Sequence, residues 1–82
     1  MYKIEKTRSM DSDAWQDLDR ERAIEKARAA LSAPGDVVTV IDSVSGETLW
    51  AGVYGRDGRR QEWTGQEPDR VRVLPALASA TH

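Results

Sequence analysis

The spacing of apolar residues along this chain predicts several strands and one helix. Near the start, Tyr2 and Ile4 alternate with Lys3 and Glu5, which is the pattern of a strand with one buried face. Residues 36–42, DVVTVID, form a β-branched apolar run that is typical of a central strand. The chain therefore begins with one strand and has a second near its middle.

Further strands are predicted on both sides of a glycine-rich turn. Residues 47–54 (ETLWAGVY) and 59–64 (RRQEWT) flank the sequence GRDG, whose Asp-Gly pair favours a hairpin. Residues 71–74 (VRVL) form a last short strand. Earlier in the chain, residues 9–13 (SMDSD) are predicted as a loop, and residues 14–18 (AWQDL) as a turn or a short strand.

The helix is predicted from about Asp19 to the residues before Pro34. Asp19 is a suitable N-cap, and Pro34 with Gly35 ends the helical pattern. At 100° per residue, one narrow stripe is apolar and mostly small. This stripe contains Ala23, Ile24, Ala27, Ala30 and Leu31. A helix that begins at Asp13 and places Trp15 on another surface is the competing interpretation.

Together these elements predict an α+β fold in the order β-α-β-β-β, with an optional last strand. The fold is an antiparallel sheet of four or five strands with one helix packed on one face. Residues 1–75 are expected to form a single domain, because 82 residues suit one domain. Residues 76–82 (ALASATH) are expected to form a flexible C-terminal tail.

Strand register predicts which side chains share a face of the sheet. A two-residue turn at Asp57-Gly58 places Gly52 opposite Trp63, and a four-residue SVSG loop places Val40 opposite Leu49. One face is then small and aliphatic and matches the helix stripe; it carries Val38, Val40, Leu49, Ala51 and Val53. The other face carries Val37, Thr39, Ile41, Trp50, Tyr54 and Trp63, with Arg56 and Arg59 toward one end. A slip of one residue in either hairpin would exchange these sets.

Composition excludes several functions. The chain has no cysteine, its single histidine is the last residue, and its net charge is −2. Disulfides and thiolate metal sites are therefore excluded, and strong non-specific binding to nucleic acid is disfavoured. No apolar run approaches the roughly 18 residues of a membrane helix, and the start lacks a signal-peptide pattern. We expect a cytoplasmic protein without metal or cofactor.

The acidic and glycine-rich segments do not match a catalytic or ligand-binding motif. The glycines at 52, 55 and 58 differ from the spacing of a dinucleotide loop, and no Gly-Lys pair exists for a phosphate loop. The acidic loop with Asp11, Asp13 and Asp17 fails the calcium-loop pattern at its fifth, sixth and twelfth positions. This loop is better suited to docking a basic partner. With neither cysteine nor an internal histidine, catalysis is not expected.

Residues 23–52, AIEKARAALSAPGDVVTVIDSVSGETLWAG, resemble a recurring style of small bacterial and phage accessory protein, which includes anti-CRISPR proteins. The resemblance covers about a third of the chain and implies binding rather than catalysis. We therefore predict a non-catalytic protein-interaction module, of the phage or prophage accessory or inhibitor type, that binds a host protein through Trp50, Tyr54, Trp63, Arg56 and Arg59. The alternatives are single-stranded nucleic-acid binding through the same face, or a structural homodimer that covers it.

Overall fold

The computed structural model describes residues 1–8, 11–65 and 72–74. Within them the chain forms one helix, α1, and six strands, all paired antiparallel in the order β2-β1-β3-β4-β5-β6. The elements are β1 (Tyr2–Arg8), β2 (Asp11–Asp17), α1 (Arg20–Ala30), β3 (Val37–Asp42), β4 (Thr48–Tyr54), β5 (Arg60–Thr64) and β6 (Arg72–Val73). The α+β class, with one helix on one face of an antiparallel sheet, is confirmed. The predicted tail, residues 76–82, lies outside the described residues.

Strand β2 is the element that the sequence pattern did not predict in full. All seven of its residues pair with β1, from Tyr2 opposite Asp17 to Arg8 opposite Asp11. The prediction of an acidic loop is therefore wrong, because this segment is one strand of a hairpin. Its own sequence, DSDAWQD, has few residues with high strand propensity. Pairing with β1 supplies the missing stabilisation, since Trp15 lies opposite Ile4.

Helix α1 begins where the capping pattern predicts. The side chain of Asp19 accepts a hydrogen bond from the backbone N–H of Glu21 at 3.0 Å, which caps the first turn. Ala23 and Ala27 are fully buried against the sheet, and so is Leu31 directly after the helix. The small alanine side chains allow the helix backbone to approach the strands closely. Leu31 is the largest of these three buried side chains.

Strand β4 is turned over relative to the predicted register. The β4–β5 connection is longer than a two-residue turn, because the N–H of Gly55 bonds to the carbonyl of Arg59 and Tyr54 lies opposite Arg60. On its other side, β4 pairs with β3 through a bulge that leaves Leu49 as an extra residue. Each change shifts the pairing by one residue. The predicted face of residues 50–54 is consequently reversed, whereas Trp63 remains on the face away from the helix.

The core lies between α1 and the sheet and includes Trp50. Its buried apolar residues are Ile4, Ala23, Ala27, Leu31, Val38, Val40 and Trp50. Glycine is required at position 52, because a Cβ there would lie 2.7 Å from Cδ1 of Leu31 and would also overlap the indole ring of Trp50. The bare backbone of Gly52 therefore gives the large Trp50 ring a place beneath the helix.

Candidate functional site

Trp50 is an interior residue rather than part of a binding surface. Only 1% of its surface is exposed, and its indole Nε1–H donates to Oε2 of Glu62 at 2.6 Å. The prediction that Trp50 lies on an exposed face of the sheet is wrong. The physical reason is the bulge at Leu49 and the longer β4–β5 loop, which turn the Trp50 side chain toward α1.

The other four predicted binding residues are divided among three places. Tyr54 is half-buried on the helix face and packs against the core. Arg56 and Arg59 are exposed in the loop between β4 and β5, where Arg59 lies 3.9 Å from Asp57 in a largely exposed ion pair. Trp63 is half-buried on the face without a helix. The structure therefore does not bring the predicted aromatic residues together on one face.

The predicted acidic residues also differ in their surroundings. Asp17 is buried, and it accepts hydrogen bonds from Lys26 at 2.7 Å and from Arg22 at 3.1 and 3.2 Å. The bonds from Lys26, the backbone N–H of Asp19 and Arg22 hold the pKa of Asp17 well below its ordinary value. Asp13 is exposed on β2, and the side chain of Asp11 lies outside the described part of the structure. Of the two aspartates whose side chains are described, Asp13 is the one that is placed to contact a partner.

Two further buried carboxylates connect elements of the fold. Glu62 binds Arg28 of α1 through two hydrogen bonds, at 2.7 and 3.1 Å, in addition to the Trp50 indole. Asp36 is fully buried and binds Arg8, Lys6 and the backbone N–H of Ser32. The sequence analysis did not single out either residue. The available signal for Asp36 is its position directly before the apolar run of β3. Glu62 lies in the middle of β5 without such a signal, because its role depends on the pairing of β5 with β4.

Asp36 has an altered acidity that follows from these contacts. The Arg8 guanidinium, the backbone N–H groups of Ser32 and Ala33, and the Lys6 ammonium hold the pKa of Asp36 well below its ordinary value, although burial opposes them. A carboxylate in this state is a charged hydrogen-bond acceptor at neutral pH. It joins the chain after α1 to the first strand, and it is not poised to exchange a proton near pH 7.

The face of the sheet without a helix has an apolar half and a polar half. Its apolar half covers β3 to β6, and Val37 and Val73 there are 40% and 63% exposed. Register places on this half Val37, Thr39, Ile41, Ala51, Val53, Gln61, Trp63 and Val73. The polar half covers β1 and β2, with residues such as Lys3, Glu5 and Gln16. No described element covers the apolar half.

A second uncovered surface, which is concave, lies between the edge strand β2 and the flank of α1. Trp15, Gln16, Lys26, Ala29 and Ala30 line an open groove of about 470 Å³. Trp15 is 44% exposed although it lies on the same face of the sheet as the core. We refer to this feature as the edge groove. The sequence predicts Trp15 in a turn or short strand, or, in the competing interpretation, on a surface of a longer helix away from its apolar stripe.

Comparison with protein-family models, with curated proteins and with solved structures finds no match for this chain. Among residues 1–8, 11–65 and 72–74, no cluster of three or more histidine, cysteine or carboxylate side chains is placed to hold a metal ion. Within the same ranges no helix has the length and apolar character needed to cross a bilayer. The geometry of the two uncovered surfaces is therefore the basis for assigning a function.

Proposed function

We propose that this protein is a non-catalytic interaction module that binds another protein through the apolar half of its helix-free sheet face. The observation that carries the proposal is the set of apolar side chains on β3 to β6 that no described element covers. An antiparallel sheet with one solvated face ordinarily presents polar residues there. Uncovered apolar patches commonly mark sites of interaction.

The distribution of residues on this face resembles an interface. Trp63 lies near the middle of the apolar half, and tryptophan is enriched among residues that dominate binding energy. Val53 lies diagonally across from it on the neighbouring strand β4, and Val37 lies opposite Val53 on β3. Lys3 and Glu5 lie toward the polar side. An apolar centre with a charged periphery is the usual anatomy of a protein–protein contact.

The partner that we propose is a host protein in the cytoplasm, and the module is an accessory or inhibitor protein of phage or prophage type. The resemblance of residues 23–52 to small bacterial and phage accessory proteins supports this choice, as does the absence of cysteine from the chain. Single-stranded nucleic acid has less support, because Trp50 is buried and Tyr54 faces the helix, so three stacking residues do not share a face.

The test compares two lysine substitutions on the same face of the sheet. Val37→Lys places a charge in the apolar half, and Ser12→Lys places the same charge in the exposed polar half. Host proteins retained by immobilised wild type should be lost with Val37→Lys and with Trp63→Ala, and kept with Ser12→Lys. Circular dichroism and thermal unfolding establish that each variant is folded.

Three results would contradict the proposal. Equal retention by wild type and Val37→Lys would exclude the apolar half as the binding surface. Loss of the folded state in Trp63→Ala would make that residue part of the core. A wild-type dimer that Val37→Lys converts to a monomer in sedimentation velocity would assign the face to a second copy, as the homodimer alternative expects.

A further inference from the structure

We propose that the edge groove and strand β2 form a second binding site, which takes an extended basic segment of a partner protein as an added strand. This site is separate from the helix-free face and does not depend on it. Strand β2 is an edge of the sheet, with β1 as its one neighbour among the described residues. On an edge strand, alternate N–H and C=O groups point away from the sheet and can pair with a further strand.

Strand β2 is suited to strand addition by its length and regularity. It pairs with β1 over seven residues without a bulge, and it contains no proline. Residues 12–16 are all exposed. Bulges, proline and short length protect many edges from a further strand, and β2 has none of these features. Its remaining protection is the charge of its aspartates, which a basic strand would neutralise.

Charge decides which strand can be added. The sequence of β2, DSDAWQD, has three aspartates and no cation. Asp17 is already neutralised by Lys26 and Arg22, whereas Asp13 has no ion-pair partner among the described residues, since the Lys6 opposite it binds Asp36. A second copy of β2 would place carboxylates against carboxylates. Lysine or arginine facing Asp13 removes this repulsion, so the added segment is basic.

The edge groove determines one further side chain of the segment. A strand paired with β2 lies about 4.8 Å away, and every second side chain points to the helix side. The side chain nearest Trp15 enters the groove, whose other wall is Ala29, Ala30 and the stem of Lys26. Because these surfaces are mostly apolar, the inserted side chain is aliphatic or aromatic. The segment therefore has one apolar residue that faces Trp15 and, two positions away, a basic residue that faces Asp13.

The probe is a blocked synthetic peptide of sequence KTKTLTKTKG labelled with fluorescein, and binding is followed by fluorescence anisotropy at low and at moderate salt. We expect saturable binding in the micromolar range that weakens as salt rises. Replacing the leucine by serine should weaken binding about tenfold, and replacing the lysines by glutamate should abolish it. Absence of binding at about 1 mM peptide would overturn the proposal.

Backbone methylation distinguishes an added strand from simple charge attraction. One version of the peptide carries N-methyl groups on the threonines. The other version carries them on the residues that alternate with the threonines, which are the lysines and the leucine. Only one of these sets directs its N–H groups toward β2 in a paired strand. One version should therefore lose binding and the other should keep it. Loss of both, or of neither, would overturn strand addition.

Substitutions in the protein locate the site. Trp15→Ala removes one wall of the edge groove, and Ala29→Leu fills the groove. Each variant should weaken peptide binding about tenfold. Asp13→Lys should weaken binding, whereas Glu47→Lys makes the same charge change in an exposed loop and should not. Val37→Lys tests the helix-free face and should leave peptide binding unchanged. Wild-type affinity in both groove variants, or self-association that Trp15→Ala abolishes, would overturn the proposal.

Discussion

Removal of the Glu62 carboxylate should destabilise the protein through Trp50. In the Glu62→Ala variant, the buried indole N–H of Trp50 loses the acceptor that lies 2.6 Å away. An unsatisfied buried donor costs about 1–3 kcal/mol. Arg28 loses an ion pair worth about 0.5–1 kcal/mol, a small value because its side chain is 44% exposed and returns to water. The free energy of unfolding should therefore fall by about 1.5–4 kcal/mol.

Urea unfolding, followed by circular dichroism and by tryptophan fluorescence, measures this loss. A decrease of this size is a large fraction of the roughly 4–12 kcal/mol expected for a domain of this length, and it lowers the midpoint without changing the slope. Glu62→Gln retains an acceptor and should lose about half as much. Glu25→Ala, an exposed change on α1, is the matched control and should stay within about 0.5 kcal/mol. A loss below about 1 kcal/mol in Glu62→Ala would refute the reasoning.

Two further variants test the packing and the buried charge. Gly52→Ala should lower stability by about 1–3 kcal/mol, because the added methyl group meets Leu31 and the Trp50 ring; an unchanged thermal midpoint would show that the ring moves freely. The pKa of Asp36 is lowered in the folded state. Its contribution to stability is therefore full above its unfolded pKa of about 4 and is lost as pH falls toward the folded value. Asp36→Asn should show a shallower loss of stability than wild type below about pH 4 in urea titrations at several pH values; parallel curves would contradict this assignment.

The sequence was sufficient for the features that depend on neighbouring residues. The cap at Asp19 and the small apolar stripe through Ala23 and Ala27 determine the start and the buried side of α1. The β-branched run of β3 similarly determines a central strand. These signals act over a few residues, and tertiary structure does not need to override them.

The predictions that were wrong concern features that depend on pairing with strands distant in the sequence. Strand β2 owes its extended form to pairing with β1 rather than to its own propensity. The orientation of β4 depends on one extra residue, Leu49, and on the length of the loop that follows Tyr54. Since side chains alternate along a strand, an error of one residue reverses all of them. The predicted register consequently places Trp50 on the surface, although the glycine at position 52 suits a large ring packed against it.

The three buried carboxylates have a consequence for how the helix is held. Small side chains such as Ala23 and Ala27 give the helix an almost smooth contact with the sheet, which by itself does little to fix the position of the helix along its axis. The carboxylates fix this position, because Asp17 binds Lys26, Glu62 binds Arg28 and Asp36 binds the backbone N–H of Ser32 just past the end of the helix. Replacing all three ionic contacts with apolar side chains would remove these fixed points, because apolar contacts have no comparable directional preference. The helix would then lose its single translational setting, and several sliding positions of nearly equal free energy would coexist.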